Sequence, residues 1–196
     1  TKQIGNQCWT SENLRTGHYS SDVSVIPEVA DGVLWSGLST GAWCNFENNS
    51  ANDINYGKLY KWYAVSDPRN VCPAGWHVSS DSEWQDLEIF LGMPSAEAIT
   101  AASDRGSLEN IGGQLKATWL WSAPNSGANN SSGFTAYPGG GRDVNGIFVF
   151  QGNGRWWNSG WDDNYAWDRG LNHDQTGVDR SLKLKKDGYS VRCIKD

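Results

Sequence analysis

Excess basic charge, membrane-length apolar runs and recognisable catalytic signatures are all missing from this chain. Its 196 residues carry 16 Lys and Arg against 22 Asp and Glu, a formal net charge of −6. An acidic surface repels phosphate backbones, which argues against a nucleic-acid partner. No apolar stretch approaches the roughly 20 residues of a membrane-spanning helix, so no span is expected. No signal peptide is recognisable. The abrupt start at Thr1-Lys2-Gln3-Ile4 reads as a mature protein or an excised domain, from which an export signal would already be gone. The histidines His18, His77 and His173 are isolated in sequence, a weak basis for a histidine metal site. Gly139-Gly140-Gly141-Arg142 lacks the Lys-Ser/Thr ending of a phosphate loop and is followed by strand-like sequence, so it reads as a tight turn with Arg142 as a local structural donor.

What the chain has in quantity is aromatic side chains and turn formers. Twelve Trp, 7 Tyr and 5 Phe point to an aromatic core, and 23 Gly with scattered Asn/Ser runs point to long loops rather than a helical bundle. Cys8, Cys44, Cys72 and Cys193 contain no Cys-x-x-Cys pair and match no zinc spacing. An even count, widely spaced, points to two disulfides in an oxidising compartment; four buried thiols are the alternative, and the spacing selects none of the three pairings.

Helical signals fall in the first half of the chain. Tyr56, Leu59, Tyr60 and Tyr63 recur at helical spacing and predict a short amphipathic helix. Ser80 with Glu83 forms a capping box that starts a helix carrying Trp84, Leu87 and Leu91 inward and ending at Gly92. Leu108, Ile111 and Leu115 suggest one more helix, weakened by Gly112-Gly113. An opening strand and turn span residues 3–15, and later strands are expected at 134–137, 147–151, 155–158, 166–171, 181–185 and 189–194. Helices first and strands later make an α+β order with an antiparallel sheet, in a single domain over residues 1–196.

Several motifs carry a family resemblance. They are Gly5-Asn6-Gln7-Cys8-Trp9, Gly41-Ala42-Trp43-Cys44-Asn45, Tyr56-Gly57-Lys58-Leu59-Tyr60-Lys61-Trp62-Tyr63-Ala64-Val65, and Cys72-Pro73-Ala74-Gly75-Trp76-His77-Val78 with Glu83-Trp84. Gly133-Phe134, Gly141-Arg142, Trp156-Trp157-Asn158-Ser159 and Ser190-Val191-Arg192-Cys193-Ile194 complete the set. In this order, over nearly the whole chain, they resemble the Fibrobacter succinogenes major paralogous domain. That resemblance implies an exported protein at a bacterial cell surface, with a C-type-lectin-like fold of the branch that includes the formylglycine-generating enzyme. It implies the pairings Cys72–Cys193 and Cys8–Cys44. The formylglycine-generating enzyme uses a reactive cysteine pair, and this C-terminal region holds only Cys193, which argues against carrying over its oxidase activity.

The last third of the chain interleaves aromatics with short polar groups, a composition suited to recognition. Trp157, Trp161, Asp162, Asp163, Asn164, Tyr165, Trp167, Asn172, His173 and Asp174 are the candidate ligand contacts. On a strand, Trp156 and Trp157 point to opposite sides; either one is core and the other nearer solvent, or both are buried. Trp161-Asp162-Asp163-Asn164 is similar to the Trp-Asn-Asp motif of calcium-dependent lectins but in the wrong order, so it reads as a calcium-holding loop or as a solvated turn. His77 reads as a structural histidine, since no nucleophile or metal signature accompanies it. The expected function is non-covalent: an extracellular binding or adhesion module for a polysaccharide or a cell-surface protein, without a cofactor. A structural surface-layer domain and an enzyme on the same scaffold are the alternatives.

Overall fold

A computed structural model describes residues 1–196, apart from the side chain of Trp161. Twelve strands run in chain order: β1 Lys2–Ile4, β2 Gln7–Trp9, β3 Trp43–Asn45, β4 Lys58–Lys61, β5 Trp76–Val78, β6 Gly141–Arg142, β7 Phe148–Val149, β8 Gly154–Trp161, β9 Tyr165–Leu171, β10 Asp179–Leu184, β11 Gly188–Val191 and β12 Cys193–Lys195. They form a four-stranded sheet, β1-β2-β12-β5, and an eight-stranded sheet whose main path is β10-β9-β8-β11-β4-β3. Pairing is antiparallel except between β11 and β8, where Ser190 and Val191 face Trp156 and Trp157 in parallel. The helices are short, so the α+β expectation holds, with a mixed rather than purely antiparallel sheet.

The one long helix, Asp81–Phe90, forms as its sequence dictates. Ser80 Oγ accepts the Glu83 amide at 3.2 Å, and Glu83 returns a carboxylate oxygen to the Ser80 amide at 2.7 Å. Trp84 and Leu87 are buried, and Leu91 packs at the edge of the same cluster. Trp9, Phe134 and Trp156 surround Trp84. Trp157 belongs to a second cluster with Tyr60, Tyr189 and Val191, its ring 4.6 Å from that of Tyr189. The paired tryptophans of β8 thus point to opposite faces, as strand geometry requires, but both are fully buried.

Three expectations of secondary structure are corrected. The amphipathic helix over 56–63 is replaced by β4 followed by a single helical turn, Trp62–Val65. Strand β4 lies between β3 and β11 and is buried at all four positions, so the alternation that would have identified it is missing. Its two lysines are buried with their ammonium groups accounted for: Lys58 pairs with Asp53, and Lys61 donates to the Lys186 carbonyl at 2.8 Å. Leu108 is 96% exposed, because the helix begins only at Ile111, after Asn110 turns the backbone left-handed at φ 58°. The strand at 134–137 shrinks to one bridge between Ala136 and Lys116, since Thr135 adopts φ 54°.

Cys72 and Cys193 are bonded, joining the segment before the capped helix to the last strand across 121 residues. Cys8 and Cys44 are free thiols, which corrects the second pairing. Cys8 lies in the four-stranded sheet, whereas Cys44 is buried in a separate cluster with Trp35, Phe46 and Leu59. Burial pushes the Cys44 thiol up to about 11. A thiol count on the denatured, unreduced chain is therefore expected to give two per molecule, with Cys44 silent until unfolding; zero or four would contradict the structure. Reduction is expected to lower unfolding free energy by about 4–5 kcal/mol on the chain-entropy account.

Candidate functional site

The ten candidate contacts do not form one surface. Strand β9 spans seven residues, so at about 3.3 Å per residue its ends lie roughly 20 Å apart. Asp162, Asp163 and Asn164 in the β8–β9 turn, with Tyr165 at the start of β9, sit at one end, and Asn172, His173 and Asp174 follow the other end. Trp157 is removed from the set by its complete burial, with its indole N–H donated to the Tyr60 carbonyl at 2.8 Å. The side chain of Trp161, the remaining aromatic candidate of the turn, lies outside the described residues.

The far group is largely engaged in holding its own turn. Asn172 donates to Gln175 and to Asp179, and His173 N–H donates to Asn153 Oδ1 at 2.8 Å. Lys116 anchors the turn from below: its ammonium donates to the carbonyls of Ser126, Asn172 and Gln175 at 2.8, 3.0 and 2.8 Å. Burial pulls the Lys116 pKa down to about 8. Asp174 is exposed.

The near group is presented outward. The register of β8 against β9 shifts between Trp157 and Trp161, an irregularity of the kind that re-aims the end of a hairpin. Asp162 Oδ1 accepts the Tyr165 amide at 3.0 Å, so this carboxylate closes the turn. Lys185 ties the turn to the end of β10 by donating to the Asp163 carbonyl at 2.9 Å. Among the described residues, no cluster of three or more His, Cys, Asp or Glu is arranged to hold a metal ion.

Strand β10 supplies the partners that sequence reading missed. Leu182 lies directly opposite Trp167, and Leu184 opposite Tyr165. The four side chains therefore share one face of the sheet, with Tyr165 43%, Leu182 40% and Leu184 37% exposed. The Leu182-Lys183-Leu184 alternation was the available signal. Arg180 stacks its guanidinium 3.7 Å from the centre of the half-buried Trp167 ring. Next to this face lies an open cleft of about 400 Å³, bounded by Trp167, Arg180, Leu182, Lys183 and residues 101–103.

The face is held in place by buried charge. Glu88, in the capped helix, receives Arg105 and Arg169, with pairs at 2.9 and 2.7 Å. Asp81, in the first turn of that helix, receives Arg169 and Arg180, each at 2.8 Å. Burial alone would raise the Asp81 pKa; the Arg180 and Arg169 guanidiniums outweigh it and hold it below the usual range. On the opposite face of the sheet, Arg155 bridges Asp168 and Asp179, both at 3.0 Å.

His77 is set between two carboxylates. Its Nε2 lies 2.8 Å from Glu83 and its Nδ1 2.7 Å from Asp196, a geometry that an imidazolium satisfies at both nitrogens. Burial alone would lower its pKa, but the bonds to Asp196 and Glu83 raise it above 6.5. Because the folded value is raised, the stabilisation is fully present below the unfolded pKa and is lost as pH rises through the folded one. His77→Ala is therefore expected to lower the melting temperature at about pH 5.5 and to have a smaller effect at about pH 9. A gap that stays constant or widens with pH would contradict the pairing.

The sequence model of the Fibrobacter succinogenes major domain matches residues 3–195. No curated protein and no solved structure matches the chain at a significant level.

Proposed function

The chain belongs to the Fibrobacter succinogenes major domain family, and from that premise we propose that it is a non-enzymatic, extracellular binding or adhesion module recognising a polysaccharide or a cell-surface protein. The observation that carries this reading is the face made by Tyr165, Trp167, Leu182 and Leu184 beside the cleft of about 400 Å³. It combines partly exposed rings and aliphatic side chains with the Arg180 guanidinium and an acidic, Asn-bearing turn. Aromatic and arginine anchors of this kind dominate binding energy at recognition surfaces. An extracellular setting is supported by the buried Cys72–Cys193 disulfide, which an oxidising compartment maintains. A C-type-lectin-like relation is supported by the placing of the last strand, β12, between β2 and β5, and by that same disulfide, which ties the segment before β5 and the capped helix to it.

Capture on a glycan array and in a parallel screen against surface proteins tests this reading. Tyr165→Ala and Leu182→Ser are expected to weaken capture by at least about tenfold. Their melting temperatures should stay close to that of the parent, because both side chains are partly exposed. Capture that neither substitution alters would contradict the assignment. Self-association of the parent lost in Leu182→Ser would favour a surface-layer role instead.

A further inference from the structure

A second cleft, sharing no residue with the β9–β10 face, is enclosed by Glu12, Arg15, Ile54, Asn55, Trp119 and Tyr137, with a volume of about 240 Å³. Trp119 is 55% exposed, unusual for the largest side chain in a chain whose core is built of tryptophan. Tyr137 braces it edge-to-face, with centroids 5.4 Å apart and planes at 73°. Ile54, 73% exposed, adds an apolar lip. The floor is Asn13, whose side chain is fully engaged: it donates to Tyr56 and Ser190 and accepts from Trp156 and Arg192. The floor therefore gives shape and rigidity, and the walls give chemistry. The Asn55 amide, the Tyr137 hydroxyl and the Trp119 indole N–H have no hydrogen-bond partner among the described residues. Glu12 and Arg15, paired to each other, offer a carboxylate and a guanidinium beside them.

We propose that this cleft is a saccharide subsite that holds one sugar ring against Trp119, with its hydroxyls hydrogen-bonded by Asn55, Tyr137 and the Glu12–Arg15 pair. The chemistry selects the ligand class. A purely apolar ligand would strip water from an amide, a carboxylate and a guanidinium without replacing their hydrogen bonds. An anionic ligand would meet Glu12 and an arginine that is already paired. A neutral ring with one apolar C–H face and a rim of hydroxyls satisfies both the indole and the polar walls. The volume lies below the roughly 300–1,000 Å³ of clefts for drug-sized ligands, which fits a single ring rather than an enclosed chain. A shallower trough of about 380 Å³ shares Glu12, Asn13 and Arg15 with the cleft and gives room for neighbouring units of an oligosaccharide.

Affinity electrophoresis through native gels containing soluble β-glucan, xylan, galactomannan or dextran tests the subsite directly. The parent protein is expected to be retarded in at least one gel. Trp119→Ala should weaken that retention at least about tenfold, and Asn55→Ala or Tyr137→Phe should weaken it measurably, all without loss of melting temperature. Val33→Ser, at a position 80% exposed and outside both faces, should leave it unchanged. No retardation in any of the four gels overturns the inference, as does retardation that survives Trp119→Ala. Retardation lost in Leu182→Ser but kept in Trp119→Ala overturns it too, while supporting recognition at the β9–β10 face.

Discussion

Glu88 carries the structure's main constraint. It is a fully buried carboxylate in the capped helix, and it is held by Arg105 and by Arg169 of β9. Removing one member of such a group leaves a charge stranded in a low-dielectric interior, a loss of about 3–5 kcal/mol. The arrangement extends through Asp81 to Arg180 and, across the sheet, through Arg155 to Asp168 and Asp179. Four guanidiniums thus face four carboxylates, so the network balances. The consequence is positional. Helix, β8, β9 and β10 meet in one register, because any slip would separate bidentate partners as well as turn side chains to the wrong face.

Arg192 does the corresponding work where the chain's two ends meet. It is buried without a carboxylate and donates to the carbonyls of Thr10, Phe134 and Thr135 and to Asn13 Oδ1. Burial pulls its pKa down to about 9, which leaves it charged at neutral pH. Arg142 acts alike, donating to Val29, Ala30 and Gly146 carbonyls from the strand after Gly140, where φ is 64° and the Phe46 ring leaves no room for a side chain. This frame engages many polar side chains in the interior, and partly exposed rings and aliphatic side chains stand outside it on the outward face of β9 and β10 and around Trp119.

How much of this was readable beforehand follows from where each signal is stored. The capped helix was plain, because its boundary is written in local chemistry at Ser80 and Glu83 and its buried face in Trp84 and Leu87. The C-terminal strands were found because β9 and β10 are half-buried along part of their length and alternate. Strand β4 carries no such signal, because burial on both faces removes alternation, and its two lysines are polar in sequence but interior in space. In sequence the candidate site is one continuous run, 156–174, whereas in the fold β9 separates its ends. The arginine network was invisible, since its members stand 17, 81, 88 and 99 residues from their partners across the helix-to-sheet contacts. Trp119 and Tyr137 come together for the same non-local reason.

If the domain binds as proposed, recognition falls on the two exposed faces that this charge-locked frame presents. Amide chemical-shift mapping of the labelled domain, titrated with a ligand captured in the array or protein screen, tests it most directly. The account predicts shifts confined to 162–167 and 180–184, or to the loops around Asn55, Trp119 and Tyr137, with the capped helix and strands β4, β8 and β11 unmoved. Shifts centred on the buried strands, or on the turn at 172–175 that Lys116 holds, would contradict it.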